Sequence, residues 1–364
     1  MEEIKQNGAF QVKAYGASGS LIGGKTLQPM TIERHQPKQN EVLVEVLYCG
    51  VCHSDLHQVN NDRKNTLYPC VPGHEIVGKI TALGSNVSEF QIGETVGIGC
   101  MIDSCKECSS CKNGEENYCL GPVGQTMTYN GYFNPHGSEF NTFGGYSTHI
   151  LADQSFILRI PENLDIKAAA PILCAGITTF SPLKEFGVQA GHRVGIVGIG
   201  GLGHMAVKLA KAMGAEVVAI TQLEEKRSAA IETGADSVIV SANEDEMTAN
   251  DITFDFILVT IPYPFDVNPY ICLLKPHGKL VTVGLFGPYD KPLNNMEVAK
   301  LGRSVGGSGI GGIAETQEVL DFCAEHGILP EVELINMEDI NEALEKVKNE
   351  EARFRYVIDM KSLK

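Results

Sequence analysis

Eleven cysteines stand among 364 residues, and their spacing sorts them by chemistry. Cys105, Cys108, Cys111 and Cys119 read C-x2-C-x2-C-x7-C, with loops short enough for four thiolates to converge on one zinc. Lys106, Lys112, Gly114 and Asn117 make the surrounding loop polar, which fits badly with four cysteines buried in a core. Iron–sulfur clusters use a similar opening, and the long last gap disfavours that alternative. Four thiolates leave no open coordination position, so the expected role of this zinc is structural. A second set is more dispersed: Cys52 in Cys49-Gly50-Val51-Cys52-His53-Ser54-Asp55, His74 in Gly73-His74-Glu75, and Cys174. A lone His or Cys is usually a packed residue. Together, two thiolates and one imidazole form a ligand set that leaves a fourth zinc position for water or substrate. Cys49 with Cys52 also spells C-x-x-C, a redox motif elsewhere, but the pair ends a strand instead of opening a helix. Cys49, Cys70, Cys100, Cys272 and Cys323 are assigned to packing.

A third feature is Gly198-Ile199-Gly200-Gly201-Leu202-Gly203. Glycine triplets arise by chance, but this one follows an apolar strand at 194–197 and opens a helix at 202–213. That context is the one a dinucleotide-binding turn requires. The glycines allow the pyrophosphate to approach helix N–H groups, where the dipole favours negative charge. An NAD site would place Asp or Glu at the end of the next strand to receive the ribose hydroxyl. Here that strand ends Ala219-Ile220-Thr221-Gln222, with Lys226 and Arg227 within a turn. Hydroxyl plus cations suits a 2′-phosphate, so NADP(H) is expected over NAD(H). Glu224 and Glu225 argue the other way, and a solvated helix face is the bland reading of Lys226 and Arg227.

These residues need two kinds of scaffold. Short β-like runs at 42–48, 76–82, 95–99 and 146–151, punctuated by Gly, Pro and Asn, predict a compact antiparallel, barrel-like unit. From about residue 168 strands alternate with helices: 194–197, 202–213, 217–221, 224–233 and onward to 283. That rhythm predicts right-handed βαβ units on a parallel sheet. Helices at 316–326 and 337–348 and a strand at 356–360 follow. The length favours two domains. A formal charge of −16 argues against a nucleic-acid surface. Met1-Glu2-Glu3-Ile4-Lys5 is acidic where a secretion signal is basic and then apolar, and no apolar run is expected to reach the roughly 20 residues that span a bilayer. Reduced thiols, no membrane and a cytoplasmic location are the expectation.

With these motifs in view, the chain resembles the zinc-containing medium-chain alcohol dehydrogenases, and within them the cinnamyl alcohol dehydrogenase-like branch. Gly50-Val51-Cys52-His53-Ser54-Asp55, Gly73-His74-Glu75, the four-cysteine lobe, Cys174-Ala175-Gly176-Ile177-Thr178 and the glycine turn carry the resemblance, which runs from about residue 10 to 360. It implies an α/β architecture: a GroES-like β-rich catalytic domain over 1–172, a Rossmann doubly wound domain over 173–307, and a return to the catalytic domain over 308–364. It implies two zinc ions per chain, the catalytic one on Cys52, His74 and Cys174. Glu75 lies beside that metal and can enter its shell, and Asp55 accepts the second ring N–H of His74. The competing reading of Asp55 is an N-cap for the following helix. The family implies a proton relay through Ser54 and His57; an ordinary surface histidine is the alternative for His57. It places Thr178 at the nicotinamide, His53 and Arg355 near the pyrophosphate, and Ser308, Gly309 and Ile310 at the carboxamide. The bland reading of that last glycine-rich run is a hinge.

The stretch Met127, Tyr129, Tyr132, Phe133, Phe140 and Phe143 is expected to wall the substrate site. The family often carries Trp where Met127 stands, and this chain has no Trp, which disfavours a strict cinnamyl substrate. An aldehyde reductase for aromatic or medium aliphatic aldehydes is expected, as a homodimer. NAD-dependent polyol oxidation is the runner-up, and a catalytically retired zinc- and nucleotide-binding protein the alternative outside enzymes.

Overall fold

A computed structural model describes residues 8–19, 27–133, 140–349, 351–352 and 355–363. Residues 1–7, on which the reading of the N-terminus rests, lie outside the described residues. The chain divides into two compact units, one of residues Met1–Cys174 with Gly312–Lys364, the other Ala175–Gly311.

The first unit is built on a seven-stranded sheet. Its order is Val332–Asn336, Arg355–Asp359, Glu41–Gly50, Ile76–Leu83, Thr95–Ile98 and Leu158–Arg159, with His149–Asp153 also paired to Glu41–Gly50. All pairings are antiparallel except Val332–Asn336 with Arg355–Asp359. Val42, Val44, Val46, Ile76, Ile80, Val96, Ile98 and Ile150 are buried in one core, as β-branched residues in a half-buried sheet should be. A hairpin of Phe10–Gly16 and Gln28–Arg34 adds to that core. The strand expected at 146–151 begins at His149 instead. The reason is backbone pairing: Gly144, Gly145 and Tyr146 donate N–H to Val71, Gly73 and Pro72. That pairing braces the loop leading to His74.

The junction of three segments positions the chemistry. Cys49 lies opposite both Ile76 and Ile358. Beyond it, Gly50 N–H donates to Glu75 O and Val51 N–H to Tyr356 O, each at 2.9 Å. Cys52, Glu75 and Arg355 are therefore brought to one place by sheet register. A Cβ on Gly50 would collide with the Glu75 carboxylate, so the position needs glycine.

The second unit holds six parallel strands: Arg193–Val197, Glu216–Thr221, Ser237–Val240, Phe254–Val259, Leu274–Thr282 and Ser304–Gly307. In the sheet they lie third, second, first, fourth, fifth, sixth, the doubly wound Rossmann order. The first strand is central and buried on both faces. The helix Gly203–Ala212 follows it, and the expected helix at 224–233 is a 3-10 turn, Glu224–Lys226, leading into Arg227–Glu232.

One expectation needs correction. The segment Ile166–Glu185 is long and apolar enough by composition to cross a membrane. It is instead a mostly buried core element, interrupted by Pro171 and Pro182 and by one π-helical turn, Ile172–Gly176.

Candidate active site

The closed cysteine set assembles as a compact knuckle. The four sulfurs lie within 4.8 Å of one another, with Cys105–Cys111 at 3.9 Å and Cys108–Cys111 at 3.5 Å. Backbone N–H groups of Cys108, Leu120 and Gly121 point at the sulfurs of Cys105, Cys108 and Cys119 at 3.4, 3.2 and 3.4 Å. Donors of this kind favour the thiolate; those of Cys111 and Leu120 bring the Cys108 thiol down to about 6. Lys106 turns the chain with φ 60°. At Gly121 a Cβ would sit 2.6 Å from the Cys105 Cβ, so this close approach also requires glycine.

The second set is buried throughout. Cys52 precedes the helix His53–Val59, His74 and Glu75 precede the strand Ile76–Leu83, and Cys174 sits in the π-helical turn. The Cys52 and Cys174 sulfurs are 4.0 Å apart, and His74 Nε2 is 3.3 Å from the Cys174 sulfur. All eleven cysteines are free thiols. Thiol, thiol and imidazole thus face a common point. Glu75 Oε1 is 4.0 Å from His74 Nε2, while Glu75 Oε2 is buried without a hydrogen-bond partner. An orphaned buried carboxylate oxygen is costly. Together with the donor chemistry it fits a divalent zinc at this point. Burial pushes the Glu75 carboxyl up to about 7, with Arg355 pulling the other way.

Arg355 is buried and pairs with Glu75 through Nη2. Asp55 is not the N-cap of the helix. It is the third residue of the helix, so the cap position belongs to Cys52, whose N–H donates to Asp55 Oδ2 at 2.9 Å. Its carboxylate also accepts from Gly73 N–H at 3.0 Å and Tyr146 OH at 3.2 Å, and lies 3.2 Å from His74 Nδ1.

Ser54 and His57 share the helix His53–Val59, three residues apart and so on one face. His57 Nδ1 is 2.7 Å from Asp62 Oδ2, and the His53 and His57 rings lie 4.9 Å apart. Asp62 was missed because it carries no motif; a turn with Asn61 at φ 60° folds it back. Cys100, assigned to packing, lies beside Cys174. Tyr129, expected to line the substrate site, is buried with its hydroxyl 3.1 Å from His74 Nδ1. Phe133 and Phe140 are exposed, and Phe140 stacks on Tyr132 at 4.7 Å.

In the other unit the glycine turn takes the expected form. Gly198 has φ 87°, and a Cβ on Gly203 would collide with Gly198 O. A Cβ on Gly200 would meet nothing within 4 Å, leaving open space over the turn. Thr221 ends the second strand buried, its Oγ1 accepting from Leu223 N–H at 3.4 Å, and Gln222 is exposed. Arg227 grips Glu224 at 2.8 and 2.9 Å, Glu246 at 2.9 Å and Val238 O at 2.8 Å. Arg227 and Glu224, two of the charges weighed for the 2′-phosphate site, are thus paired with each other. Thr178 is buried in Ile177–Glu185. Ser308 follows the sixth strand, its buried Oγ without a hydrogen-bond partner, and the β-branched Ile310 is held at φ 49°. Such a conformation is strained and concentrates at functional sites.

Comparison with known proteins places this geometry. Residues 38–162 match the alcohol dehydrogenase GroES-like domain, and residues 201–325 the zinc-binding dehydrogenase family. The aldehyde reductase YahK of Escherichia coli is 47% identical over 356 residues, spanning 97% of this chain and 99% of that protein. A cinnamyl alcohol dehydrogenase structure from Sorghum bicolor superposes with TM-score 0.91 at 39% identity, covering 97% of this chain and 99% of that one. The CAD from Helicobacter pylori, complexed with NADP(H), superposes with TM-score 0.87 at 39% identity, covering 96% and 98%. The chain belongs to the zinc-containing medium-chain alcohol dehydrogenases, in the cinnamyl alcohol dehydrogenase-like branch. It is a zinc-binding alcohol dehydrogenase.

Two donor sets of different character predict about two zinc ions per chain on metal analysis of the purified protein. A single zinc, or iron with visible colour, would contradict it. Cys108→Ser should empty only the closed site and cost mainly thermal stability.

Proposed function

We propose that this enzyme is an NADP(H)-dependent aldehyde reductase of broad range, acting on aromatic and medium aliphatic aldehydes and the corresponding alcohols. The observation that carries the reading is the buried convergence of Cys52, His74 and Cys174 beside Glu75. In this reading those three residues hold the catalytic zinc, and Glu75 stands by as a further oxygen ligand. Cys105, Cys108, Cys111 and Cys119 hold the structural one. Bound zinc supplies Lewis-acid polarisation of the substrate oxygen.

The remaining work falls to the chain itself. Ser54 exchanges the substrate proton and His57 passes it outward, steadied at Nδ1 by the half-exposed Asp62. Gly198, Gly200, Gly201, Leu202 and Gly203 cradle the pyrophosphate, whose place is the open space above Gly200. Thr221, Gln222 and Lys226 receive the 2′-phosphate. Thr178 contacts the nicotinamide, and the backbone of Ser308, Gly309 and Ile310 the carboxamide. His53 approaches the pyrophosphate; Arg355 is proposed to do so as well, in competition with its pair to Glu75. Residues 1–172 and 308–364 act as the catalytic domain and 173–307 as the nucleotide domain, in a cytoplasmic homodimer.

NADP(H) is favoured because no carboxylate ends the second strand, and the related CAD from Helicobacter pylori is complexed with NADP(H). Met127 in place of the family's frequent Trp widens the aldehyde range beyond cinnamyl compounds. A rate screen of NADPH oxidation against aromatic, aliphatic and sugar aldehydes tests this, with polyol oxidation measured alongside. Aromatic and medium aliphatic aldehydes should show the highest kcat/KM. Preferred oxidation of a polyol with NAD would overturn the reading.

A further inference from the structure

We infer that Tyr129 is a positioning residue for the metal-binding imidazole of His74, sharing its Nδ1–H with Asp55. The inference rests on the zinc reading of Cys52, His74 and Cys174 above.

An imidazole that ligates through Nε2 has one proton left, on Nδ1, and the acceptor of that proton sets the ring's tautomer and orientation. Two oxygens stand there. Asp55 Oδ1 is 3.2 Å and Tyr129 Oη 3.1 Å from His74 Nδ1. Asp55 alone is a divided partner. Its Oδ1 also accepts from Gly73 N–H at 3.0 Å, and its Oδ2 is taken by Cys52 N–H and Tyr146 OH. A second oxygen closes the freedom of the ring to rock about the Asp55 contact.

Tyr129 is itself held as a fixed part. Thr128 Oγ1 donates to Gly99 O at 2.5 Å and Thr128 N–H to Cys100 O at 3.0 Å. On its other side, Asn130 Oδ1 accepts from Leu67 N–H at 2.7 Å. Met127 N–H closes the turn on Gly131 O at 2.8 Å, over Asn130 and Gly131 at φ 69° and 72°. The tyrosine ring packs at 5.5 Å from the imidazole, tilted by 48°. The neighbours on both sides are pinned so that one hydroxyl meets one imidazole nitrogen.

Tyr129→Phe removes that hydroxyl and keeps the ring. In the full-length protein, competition with a chelator should show zinc held at the Cys52–His74–Cys174 site about 10-fold more weakly. That is the low end of the roughly 10–100-fold typical of such outer partners, because Asp55 remains. The visible d–d bands of protein with Co²⁺ exchanged into that site should shift. Zinc affinity at the four-cysteine site and the melting temperature of the metal-free protein should not change. Zinc affinity within twofold of the parent together with unshifted Co²⁺ bands would overturn the inference. A changed aldehyde KM alone would make Tyr129 a wall of the substrate site, and a lower metal-free melting temperature alone a packing residue; either overturns it. A parent protein that binds zinc only at the four cysteines would instead refute the zinc reading, before any variant is made.

Discussion

Ser54→Ala should lower turnover by about 10²–10⁴-fold, the range for removing a positioned proton-transfer group. Ser54 lies two residues beyond Cys52, in the first turn of the helix His53–Val59. The backbone that delivers the Cys52 thiol therefore also delivers this hydroxyl. One turn further, on the same face, His57 is fixed at Nδ1 by Asp62 at 2.7 Å, and its Nε2 is buried without a hydrogen-bond partner. Ser54→Ala changes no metal donor and no part of the glycine turn, so zinc content and cofactor affinity should match the parent. His57→Ala should lose less, because water can carry the outward step, and the pH profile of its rate should change. Single-turnover measurement of hydride transfer, where chemistry limits the rate, is the check. Near-parental turnover in Ser54→Ala under those conditions would remove Ser54 from the relay.

How much of this was legible beforehand depended on the range of the interactions. The closed cysteine set is local in sequence, with four ligands inside 15 positions, and its chemistry could be read from spacing. The glycine turn is equally local, and the strand and helix flanking it follow from hydrophobic patterning. Cys52, His74 and Cys174 are far apart, yet the joint residue types and the family resemblance brought them together. What could not be read were contacts made by residues with no motif. Tyr129 reads as one aromatic among five, and the turn anchored at Gly99 and Leu67 brings its hydroxyl to His74. Asp62 and Cys100 are the same case. The strand starting at His149 shifted because Gly144, Gly145 and Tyr146 had already given their backbone N–H groups to 71–73. Ile166–Glu185 reads as apolar for a simple reason: it is a core helix, buried on nearly every side.

Thr221→Asp should weaken NADP binding by roughly 10- to 150-fold while sparing or improving NAD, a change of about 1.5–3 kcal/mol for loss of one charge-assisted contact. The argument is a charge balance at the end of the second Rossmann strand. Thr221 pairs with Val240 and ends beside the first strand, whose Val197 lies opposite Ile220. An acid at that end accepts a hydrogen bond from a ribose 2′-hydroxyl and repels a 2′-phosphate. The native threonine presents a hydroxyl there and no charge. The charges nearby sort into pairs that sequence could not assign: Arg227 is spent on Glu224 and on Glu246, nineteen residues away. Glu224 is paired with Arg227, and in the proposed site Lys226 is the cation whose removal should matter. Lys226→Ala is accordingly expected to weaken NADP alone, and Arg227→Ala to cost stability by freeing two carboxylates, with cofactor choice unaltered except through the unpaired Glu224. kcat/KM for both cofactors in the parent and the three variants decides it. An unchanged NADP-to-NAD ratio in Thr221→Asp would mean that the ribose pocket lies elsewhere on the sheet, and a parent that prefers NAD would mean that Glu225 outweighs Lys226.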